Sequence, residues 1–437
     1  MIDGVDLSAL EQWMDRQGLG EGPIAEATTL AGGTQNILLR FSRSGRSYVL
    51  RRPPPVLRAN SNKTMRREAR VLAALKGSDV PHPELIAACP EANVIGASFY
   101  LMEPIEGFNA TQGLPALHAG DAVVRHRMGL AMVEAIAALS QVDYQAVGLE
   151  GFGKLDNWIE RQVGRWASQL ASYAEMPGWT GPDAIPGVAK VAEWLDAHRP
   201  TSFQPGIIHG DFHFANVLFR NDSGELAAVV DWELCTLGDP LLDLGWLAAT
   251  WPENNHPHAT DVAITPWEGF ATPDELVTHY AELTGRDLAD FDWYAVLACY
   301  KLGIILEGTH ARACAGKAPR ETGDRLHAHT IHLFERALRR IPRKEAAEMG
   351  ELLDVARKEV TRLDAIITQF LRAIRPSKPQ LALAQIEDVL SDTLTLLQHE
   401  IENRHIKVEV EQTKPLPPIR IDNDQIKQAF FNIIKNA

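Results

Sequence analysis

Cysteine is scarce in this sequence, and long apolar runs are missing. The 437 residues include four cysteines, which form no CxxC pair: Cys89, Cys235, Cys299 and Cys314. Their spacing offers neither a zinc site nor a disulfide framework, and it fits a reducing cytoplasm. No stretch approaches the ~18 apolar residues of a membrane span, and the N-terminus is acidic where a signal peptide is basic. We therefore expect a cytoplasmic protein that does not enter a membrane.

Positive charge is also in deficit, since the formal net charge is -14. An acidic chain repels nucleic-acid phosphates and anionic lipid head groups, so we expect neither as a partner. A local basic pocket for a phosphorylated ligand remains compatible with this charge. Hydrophobic residues make up 45% of the chain and charged residues 23%, as in ordinary globular proteins with a core.

Short strands dominate the first hundred residues. The segment 24–52 is predicted to form strands separated by glycine turns, and Pro53-Pro54-Pro55 ends it. The spacing of apolar residues predicts a helix over 64–76, and a further strand pair is expected near 85–88 and 98–102. Several strands with a single helix describe a small mixed lobe.

A mainly helical lobe is predicted to follow, over about 120–200 and again over 240–340. Between these ranges lies the polar segment His209-Gly210-Asp211-Phe212-His213-Phe214-Ala215-Asn216. Strands at 217–220 and 226–230 are predicted to pair as a hairpin. Because the start of one strand then meets the end of the other, Asn216 and Asp231 come side by side, with Asp211 in the preceding loop.

This juxtaposition suits phosphoryl transfer. Magnesium prefers oxygen ligands and takes few of them from protein, so one Asn and one Asp are a fitting supply. A separate Asp211 can orient an acceptor hydroxyl and take its proton. Phosphoryl transfer asks mainly for positioning and charge neutralisation, so these few groups can suffice.

The motif His209-Gly-Asp211-x4-Asn216, followed by Asp231, resembles the catalytic loop and metal-binding Asp of aminoglycoside phosphotransferase-like kinases. The resemblance spans about residues 20–325. It implies ATP and Mg²⁺ as cofactors, a small-molecule hydroxyl as acceptor, Asp211 as catalytic residue, and Asn216 and Asp231 as metal ligands. It also implies that Asp243, in Gly238–Gly245, buttresses the catalytic loop. We expect His209 to hydrogen-bond that loop and His213 to face solvent.

The resemblance also implies a nucleotide site in the small lobe. A glycine turn, Gly32, Gly33 and Thr34, is expected to cover the phosphates. Arg51 on the third strand is expected to bind them, with Glu68 on the following helix as its partner. The hinge that binds adenine is expected to contain Glu103 and Ile105. Arg51 stands where most of the family has Lys, and its fork of donors should grip phosphates differently. The alternative for Arg51 and Glu68 is a surface ion pair of little consequence.

Two segments of the sequence resemble one branch of the family in particular. Val49–Pro54 and the helix containing Arg161 and Arg165 are similar to the branch that is fused to acyl-CoA dehydrogenases in animals. That resemblance implies a hydroxyacyl-CoA as the acceptor. Arg161 and Arg165 lie one helical turn apart and could bind its charged groups, although a solvated helix face is an equal alternative.

The C-terminal segment resembles part of a sensor histidine kinase. Residues 359–376 are similar to the second dimerisation helix, and 422–437 to a nucleotide-contacting helix with Asn432 and Asn436. A phosphoacceptor motif and both glycine-rich boxes are missing from the sequence, so we expect no histidine kinase activity. The apolar stripe over 345–374 is predicted to favour self-association.

The expected fold class is α+β, a two-lobed protein-kinase-like fold with a C-terminal helical appendage. The predicted domains are a nucleotide-binding lobe (1–105), a catalytic and substrate lobe (106–340), and the histidine-kinase-like segment (341–437). The predicted function is an ATP- and Mg²⁺-dependent small-molecule kinase. Two alternatives stay open: a histidine-kinase-related signalling protein, and a nucleotide-binding pseudokinase scaffold.

Overall fold

The computed structural model describes residues 2, 4–30, 36–201, 203–252, 264–341, 379–403, 407–411 and 416–436. They belong to two compact units, Met1–Met349 and Gly350–Ala437. Across these described ranges, no helix has both the length and the apolar character that crossing a membrane requires.

The first unit begins with the small lobe. Its strands are β1 (Ala25–Thr29), β2 (Ile37–Arg43), β3 (Arg46–Arg52), β4 (Leu85–Cys89) and β5 (Phe99–Met102). They form one antiparallel sheet in the order β1-β2-β3-β5-β4. Strands β2 and β3 are joined through Ser44 and Gly45, whose φ values of 48° and 74° suit a tight hairpin.

Two helices pack with this sheet, α1 (Leu7–Arg16) and α2 (Ser61–Leu75). Asp6 caps the N-terminus of α1, since its carboxylate accepts hydrogen bonds from the amides of Ser8 and Ala9. Helix α2 starts three residues before the predicted boundary of 64. Its buried residues recur at helical spacing, which is why the pattern predicted it: Met65, Glu68, Ala69, Val71, Leu72 and Leu75.

The helical lobe follows the small lobe. Its helices are α3 (Ala116–Gly120), α4 (Ala122–Gln141), α5 (Glu160–Ala171), α6 (Val188–Ala197), α7 (Leu241–Thr250), α8 (Pro273–Thr284), α9 (Phe291–Cys314) and α10 (Arg320–Arg340). Helices α7 and α9 are buried around most of their circumference because they are apolar on nearly all sides. They therefore form the centre of the lobe and give the loops that contact them a rigid support.

Two short antiparallel pairs interrupt the helices, as the sequence predicts for 207–231. Strand β6 (Gly206–Ile208) pairs with β9 (Thr236–Gly238), and β7 (Val217–Phe219) pairs with β8 (Leu226–Val229). In the second pair Val217 lies opposite Val229. Together these pairs present the polar segment 209–216 and Asp231 at one place.

The second unit contains β10 (Ala382–Ala384), β11 (Ile419–Ile421), α11 (Ile386–Asn403) and α12 (Asn423–Asn436). The two strands pair antiparallel. Helices were predicted at about 385–402 and from 424, and the structure has both. The predicted strand at 406–410 is wrong for the described residues 407–410, which have no regular secondary structure. The predicted self-association stripe, 345–374, lies outside the described residues.

Candidate active site

The end of the β7–β8 hairpin brings Asn216 and Asp231 together. The amide of Val230 donates a 2.9 Å hydrogen bond to the carbonyl of Asn216, so the two chain segments are adjacent. Asp231 then adopts φ 66° and ψ 62°, a left-handed conformation that is uncommon outside glycine. This turn directs the chain away from the strand immediately after the hairpin closes.

Asp211 lies against the same two segments. The side-chain nitrogen of Asn216 donates to the backbone carbonyl of Asp211 at 2.9 Å and to its Oδ2 at 3.0 Å. The amide group of Asn216 is thereby oriented, and its Oδ1 is the atom that can serve a cation. Because the carboxylate of Asp211 keeps 31% of its side-chain surface exposed, an acceptor can reach it.

His213 contributes to the same cluster, so the expectation that it faces solvent is wrong. Its Nδ1 accepts a 3.2 Å hydrogen bond from the amide of Ala215, which leaves the proton of a neutral ring on Nε2. That nitrogen lies 3.3 Å from Oδ1 of Asp211. Burial by itself raises the pKa of Asp211, but the hydrogen bond and charge of His213, with His209 and Lys301, lower it to about 2.

Asp243, on α7, holds the loop that carries Asp211 in place. Its carboxylate accepts hydrogen bonds from the amides of His209 at 2.6 Å and Gly210 at 2.9 Å. Gly210 has φ 86°, and a Cβ there would meet the carbonyl of Leu234 at 2.6 Å, so glycine is required. Burial raises the pKa of Asp243 above its usual range.

His209 is occupied on both ring nitrogens. Its Nδ1 accepts from the amide of Asp211 at 3.3 Å, and its Nε2 donates to the carbonyl of Val230 at 3.0 Å. The ring thus ties the Asp211 loop to the segment before Asp231, and it is fully buried. This arrangement favours a positioning role over proton transfer.

Lys301, on α9, is a site residue that the sequence did not predict. Its Nζ donates a 3.0 Å hydrogen bond to the carbonyl of Gly210 and lies 4.4 Å from the ring centroid of Trp246. Burial lowers its pKa to about 8, against the opposing charges of Asp243 and Asp211. The signal would have been a single Lys within an otherwise buried helix.

In the small lobe, Arg51 joins two carboxylates. Its Nε lies 2.8 Å from Oε2 of Glu68, and its second terminal nitrogen lies 2.6 Å from Oδ1 of Asp231. The Arg51 side chain is 9% exposed and that of Glu68 is fully buried, so the alternative of a surface ion pair is wrong. Oδ2 of Asp231 is then the oxygen that remains for a cation.

Tyr100, on β5, completes this cluster and was missed as a site residue. Its hydroxyl donates to Oε2 of Glu68 at 2.9 Å. Burial raises the pKa of Glu68, and Arg51 and Tyr100 only partly oppose this. A further carboxylate, Glu233, follows Asp231; burial and the charge of Asp231 raise its pKa. The guanidinium of Arg51 thus lies near three acidic side chains, those of Glu68, Asp231 and Glu233.

The predicted hinge lies between the lobes. The amide of Glu103 donates to the carbonyl of Glu84 at 3.0 Å, and its carboxylate lies 2.8 Å from Arg46. Ile105 is half-buried a little further along, before Phe108 pairs with Phe219. The predicted phosphate-covering residues Gly32, Gly33 and Thr34 lie outside the described residues.

The two arginines predicted to bind substrate differ in their surroundings. Arg161 donates to the backbone carbonyls of Lys154 and Asp156 at 2.6 Å and 2.9 Å, which favours a structural role for it. Arg165 lies over the ring of Trp166 at 5.2 Å. Its charge also helps to lower the pKa of Lys301, after the dominant effect of burial. Of the two arginines, Arg165 is therefore the one whose charge acts on Lys301, the residue that contacts the Asp211 loop.

Comparison with known proteins identifies relatives for most of the first unit. The model of the family described as "Phosphotransferase enzyme family" matches residues 26–279. Acyl-CoA dehydrogenase family member 10 of Mus musculus is 30% identical over 312 residues, covering 70% of this chain and 28% of that protein. Acyl-CoA dehydrogenase family member 11 of Homo sapiens is 29% identical over 321 residues, covering 71% and 40%. The chain thus spans less than half the length of these relatives.

Solved structures support the fold. A candidate aminoglycoside phosphotransferase from Ralstonia eutropha JMP134 has a TM-score of 0.64 at 29% identity, covering 76% of this chain and 98% of that chain. A thermostable mutant of aminoglycoside phosphotransferase APH(4)-Ia, in ternary complex with AMP-PNP and hygromycin B, has a TM-score of 0.50 at 16% identity, covering 75% and 98%. These matches confirm the predicted two-lobed kinase-like fold.

The relation to histidine kinases has less support. Sporulation kinase E of Bacillus subtilis (strain 168) is 30% identical over 84 residues, which is 19% of this chain and 11% of that protein. The resemblance predicted for the C-terminal segment therefore rests on a short match.

Proposed function

Because the chain belongs to the phosphotransferase enzyme family, we propose that it transfers the γ-phosphoryl group of ATP to a hydroxyl group of a small molecule. One observation carries the proposal: the ionised, partly exposed Asp211 is bonded to Asn216 beside the end of the hairpin that bears Asp231. An acceptor hydroxyl needs such a carboxylate, and a nucleotide-bound cation needs such oxygen ligands.

The residues take distinct roles in this proposal. Asp211 orients the acceptor hydroxyl and accepts its proton, while Asp243 and His209 position the Asp211 loop. Asn216 and Asp231 would hold Mg²⁺ through Oδ1 and a carboxylate oxygen, and this donor set fits the ion's preference for oxygen. When bound, Mg²⁺ supplies neutralisation of the phosphate charge.

The small lobe would hold the nucleotide. Arg51, oriented by Glu68, directs its guanidinium toward Asp231 and so toward the place where the phosphates would lie. Gly32, Gly33 and Thr34 are proposed to cover the phosphates, and the backbone near Glu103 and Ile105 to bind adenine. The proposed lobe boundaries remain 1–105 and 106–340, and 341–437 is proposed as a histidine-kinase-like segment.

For the acceptor we propose a hydroxyacyl-CoA. The support is that the curated relatives in mouse and human are named acyl-CoA dehydrogenase family members. Arg165 is the proposed contact to an acidic group of this substrate. Arg161 is the weaker candidate, since its guanidinium already binds backbone carbonyls.

The test is release of ADP from Mg·ATP with panels of hydroxyacyl-CoAs, aminoglycosides and simple alcohols. Turnover on one panel that disappears in Asp211→Ala is the expected result, and it names the acceptor class. Asp222→Ala is the matched control, because Asp222 lies in the exposed hairpin turn. Turnover that persists in Asp211→Ala would contradict the assignment of Asp211. Binding of Mg·ATP without turnover on any panel would favour the pseudokinase alternative, and an acid-labile phosphohistidine would favour the signalling alternative.

A further inference from the structure

A second cluster of side chains with metal-binding atoms lies between α9 and α10. Glu307 and His310 are three residues apart on α9, and His327 is on α10. Each offers one ligand atom, and these atoms all lie within 4.8 Å of one another. Two further groups border the cluster: Cys314 follows His310 on α9, and Asp324 precedes His327 on α10.

We propose that Glu307, His310 and His327 bind a divalent transition-metal cation of the Zn²⁺ type, with Cys314 or Asp324 as the fourth ligand. Imidazole, carboxylate and thiolate are the ligands that Zn²⁺ uses in proteins. The spacing of the cysteines gave no sign of such a site, because the ligands come mainly from histidines and carboxylates on two helices.

The distances between the side chains suit this ion. Ligands held at about 2.0–2.3 Å from a tetrahedral Zn²⁺ stand about 3.3–3.8 Å from one another. Nδ1 of His327 lies 2.8 Å from Oε2 of Glu307. His310 lies 3.5 Å from Oδ1 of Asp324 through Nδ1, and 3.5 Å from the sulfur of Cys314 through Nε2. All three ligand atoms lie within 4.8 Å of one another, so each side chain needs to move by about 1 Å or less to reach this geometry.

Trp179 holds the carboxylate of Glu307 in place. Its indole Nε1 donates a 2.7 Å hydrogen bond to Oε1 of Glu307, which is fully buried. The other oxygen, Oε2, then points toward His327. Such an outer hydrogen bond to a ligating carboxylate is the usual way in which proteins orient metal ligands.

His310 points to a missing ligand. It is 7% exposed, and its Nδ1 makes no hydrogen bond to the described residues, the Oδ1 of Asp324 being 3.5 Å away. A buried polar atom without a partner is costly, and a bound cation would satisfy it. The rings of His310 and His327 stack with centroids 4.4 Å apart and planes 24° apart. Because an imidazole binds a cation in the plane of its ring, one of the two rings must turn out of this stack when both bind the same ion.

The helices come unusually close beside the cluster. A Cβ at Gly323 would lie 2.3 Å from the Cβ of Ala313, so glycine permits the approach. A cation at this point would clamp α10 to α9, the helix that also carries Lys301 beneath the Asp211 loop. The proposed site is structural and does not depend on the proposed kinase activity.

The test is titration of the full chain with ZnCl₂ after EDTA treatment, in excess Mg²⁺, followed by calorimetry. One Zn²⁺ per chain is expected, with at least tenfold weaker binding in His310→Ala and in His327→Ala. His126→Ala is the matched control, because His126 is an exposed histidine on α4. Binding that is absent, or equal in all four proteins, would overturn the proposal.

A second measurement needs no variant and so does not depend on the variants folding. Co²⁺ in place of Zn²⁺ should give the visible absorption of a tetrahedral site, and Zn²⁺ should displace it. A near-ultraviolet charge-transfer band that is lost in Cys314→Ser would assign the thiolate as fourth ligand, whereas its absence would assign Asp324. Only the weak spectrum of hydrated Co²⁺ would contradict the site.

Discussion

Two carboxylates of the candidate active site show opposite effects of their surroundings. Asp211, in the helical lobe, is partly exposed, and its pKa falls to about 2. Glu68, in the small lobe, is fully buried, and its pKa lies above the usual range although Arg51 contacts it at 2.8 Å. Burial acts on both, but only around Asp211 do the neighbouring groups outweigh it.

The difference separates two tasks. Asp211 is ionised, and an incoming molecule can reach it. A carboxylate that takes the proton of a substrate hydroxyl requires both properties. Glu68 has no exposed surface and binds Arg51 and Tyr100, so it can act only through them. We infer that Asp211 acts on ligands, while Glu68 positions Arg51.

The sharpest test of this comparison removes the charge of each carboxylate in turn. Asp211→Asn should lower kcat by about 10²–10⁴-fold, because the proton acceptor is lost. Glu68→Gln should act mainly on the KM for ATP, because Arg51 is less well held. Steady-state kinetics on the acceptor found by the panels measures both effects. Equal effects of the two variants on kcat would remove the distinction between the tasks.

The second test breaks the arginine cluster. Arg51→Met leaves Glu68 buried without its cation and should lower the free energy of unfolding by about 3–5 kcal/mol. Urea unfolding followed by tryptophan fluorescence reports on the first unit, because all ten tryptophans lie before residue 294. Arg51→Met combined with Glu68→Gln should recover most of the loss. If the double variant is as unstable as Arg51→Met, the buried charge is not the cause.

The third test concerns the support beneath Asp211. Asp243→Asn keeps one oxygen acceptor but cannot serve the amides of both His209 and Gly210. The loss of one hydrogen bond to a charged group should cost about 2 kcal/mol of stability and also lower kcat. Asp222→Asn, in an exposed turn, is the control and should change stability by less than about 0.5 kcal/mol. If kcat is unchanged in Asp243→Asn, other contacts suffice to hold the Asp211 loop.

Local patterns predicted much of the framework. The alternation of strands and turns predicted the small lobe, and a hairpin at 217–230 follows from its turn residues. The proximity of Asn216 to Asp231 needs only that hairpin, and the structure has it. Arg51 and Glu68 lie in contact because a strand and the next helix bring them together.

The missed residues depend on contacts between distant segments. Lys301 reaches Gly210 from a helix 91 positions later, so the single Lys in that apolar helix marks a buried charge but not its partner. His213 was misjudged because an exposed loop is the usual place for a polar residue between two phenylalanines. Its role depends on the ring orientation that the amide of Ala215 imposes. A single sequence contains no information on such pairings.

The last prediction, with the smallest expected effect, concerns Lys301, the buried cation that contacts the Asp211 loop. Lys301 has a pKa of about 8 because it is buried, whereas an unfolded lysine titrates near ~10.4. Between these values the unfolded chain binds the proton and the folded chain does not, so stability rises with pH. Relative to Lys301→Met, the native protein should gain up to ~1.4 kcal/mol per pH unit above pH 8. Unfolding at pH 8 and 9 measures the gain, with exposed Lys154→Met as control. If the stability difference between the native protein and Lys301→Met does not change with pH, the neighbouring charges compensate the burial of the Lys301 ammonium. Burial would then determine the pKa shift of Glu68 but not that of Lys301.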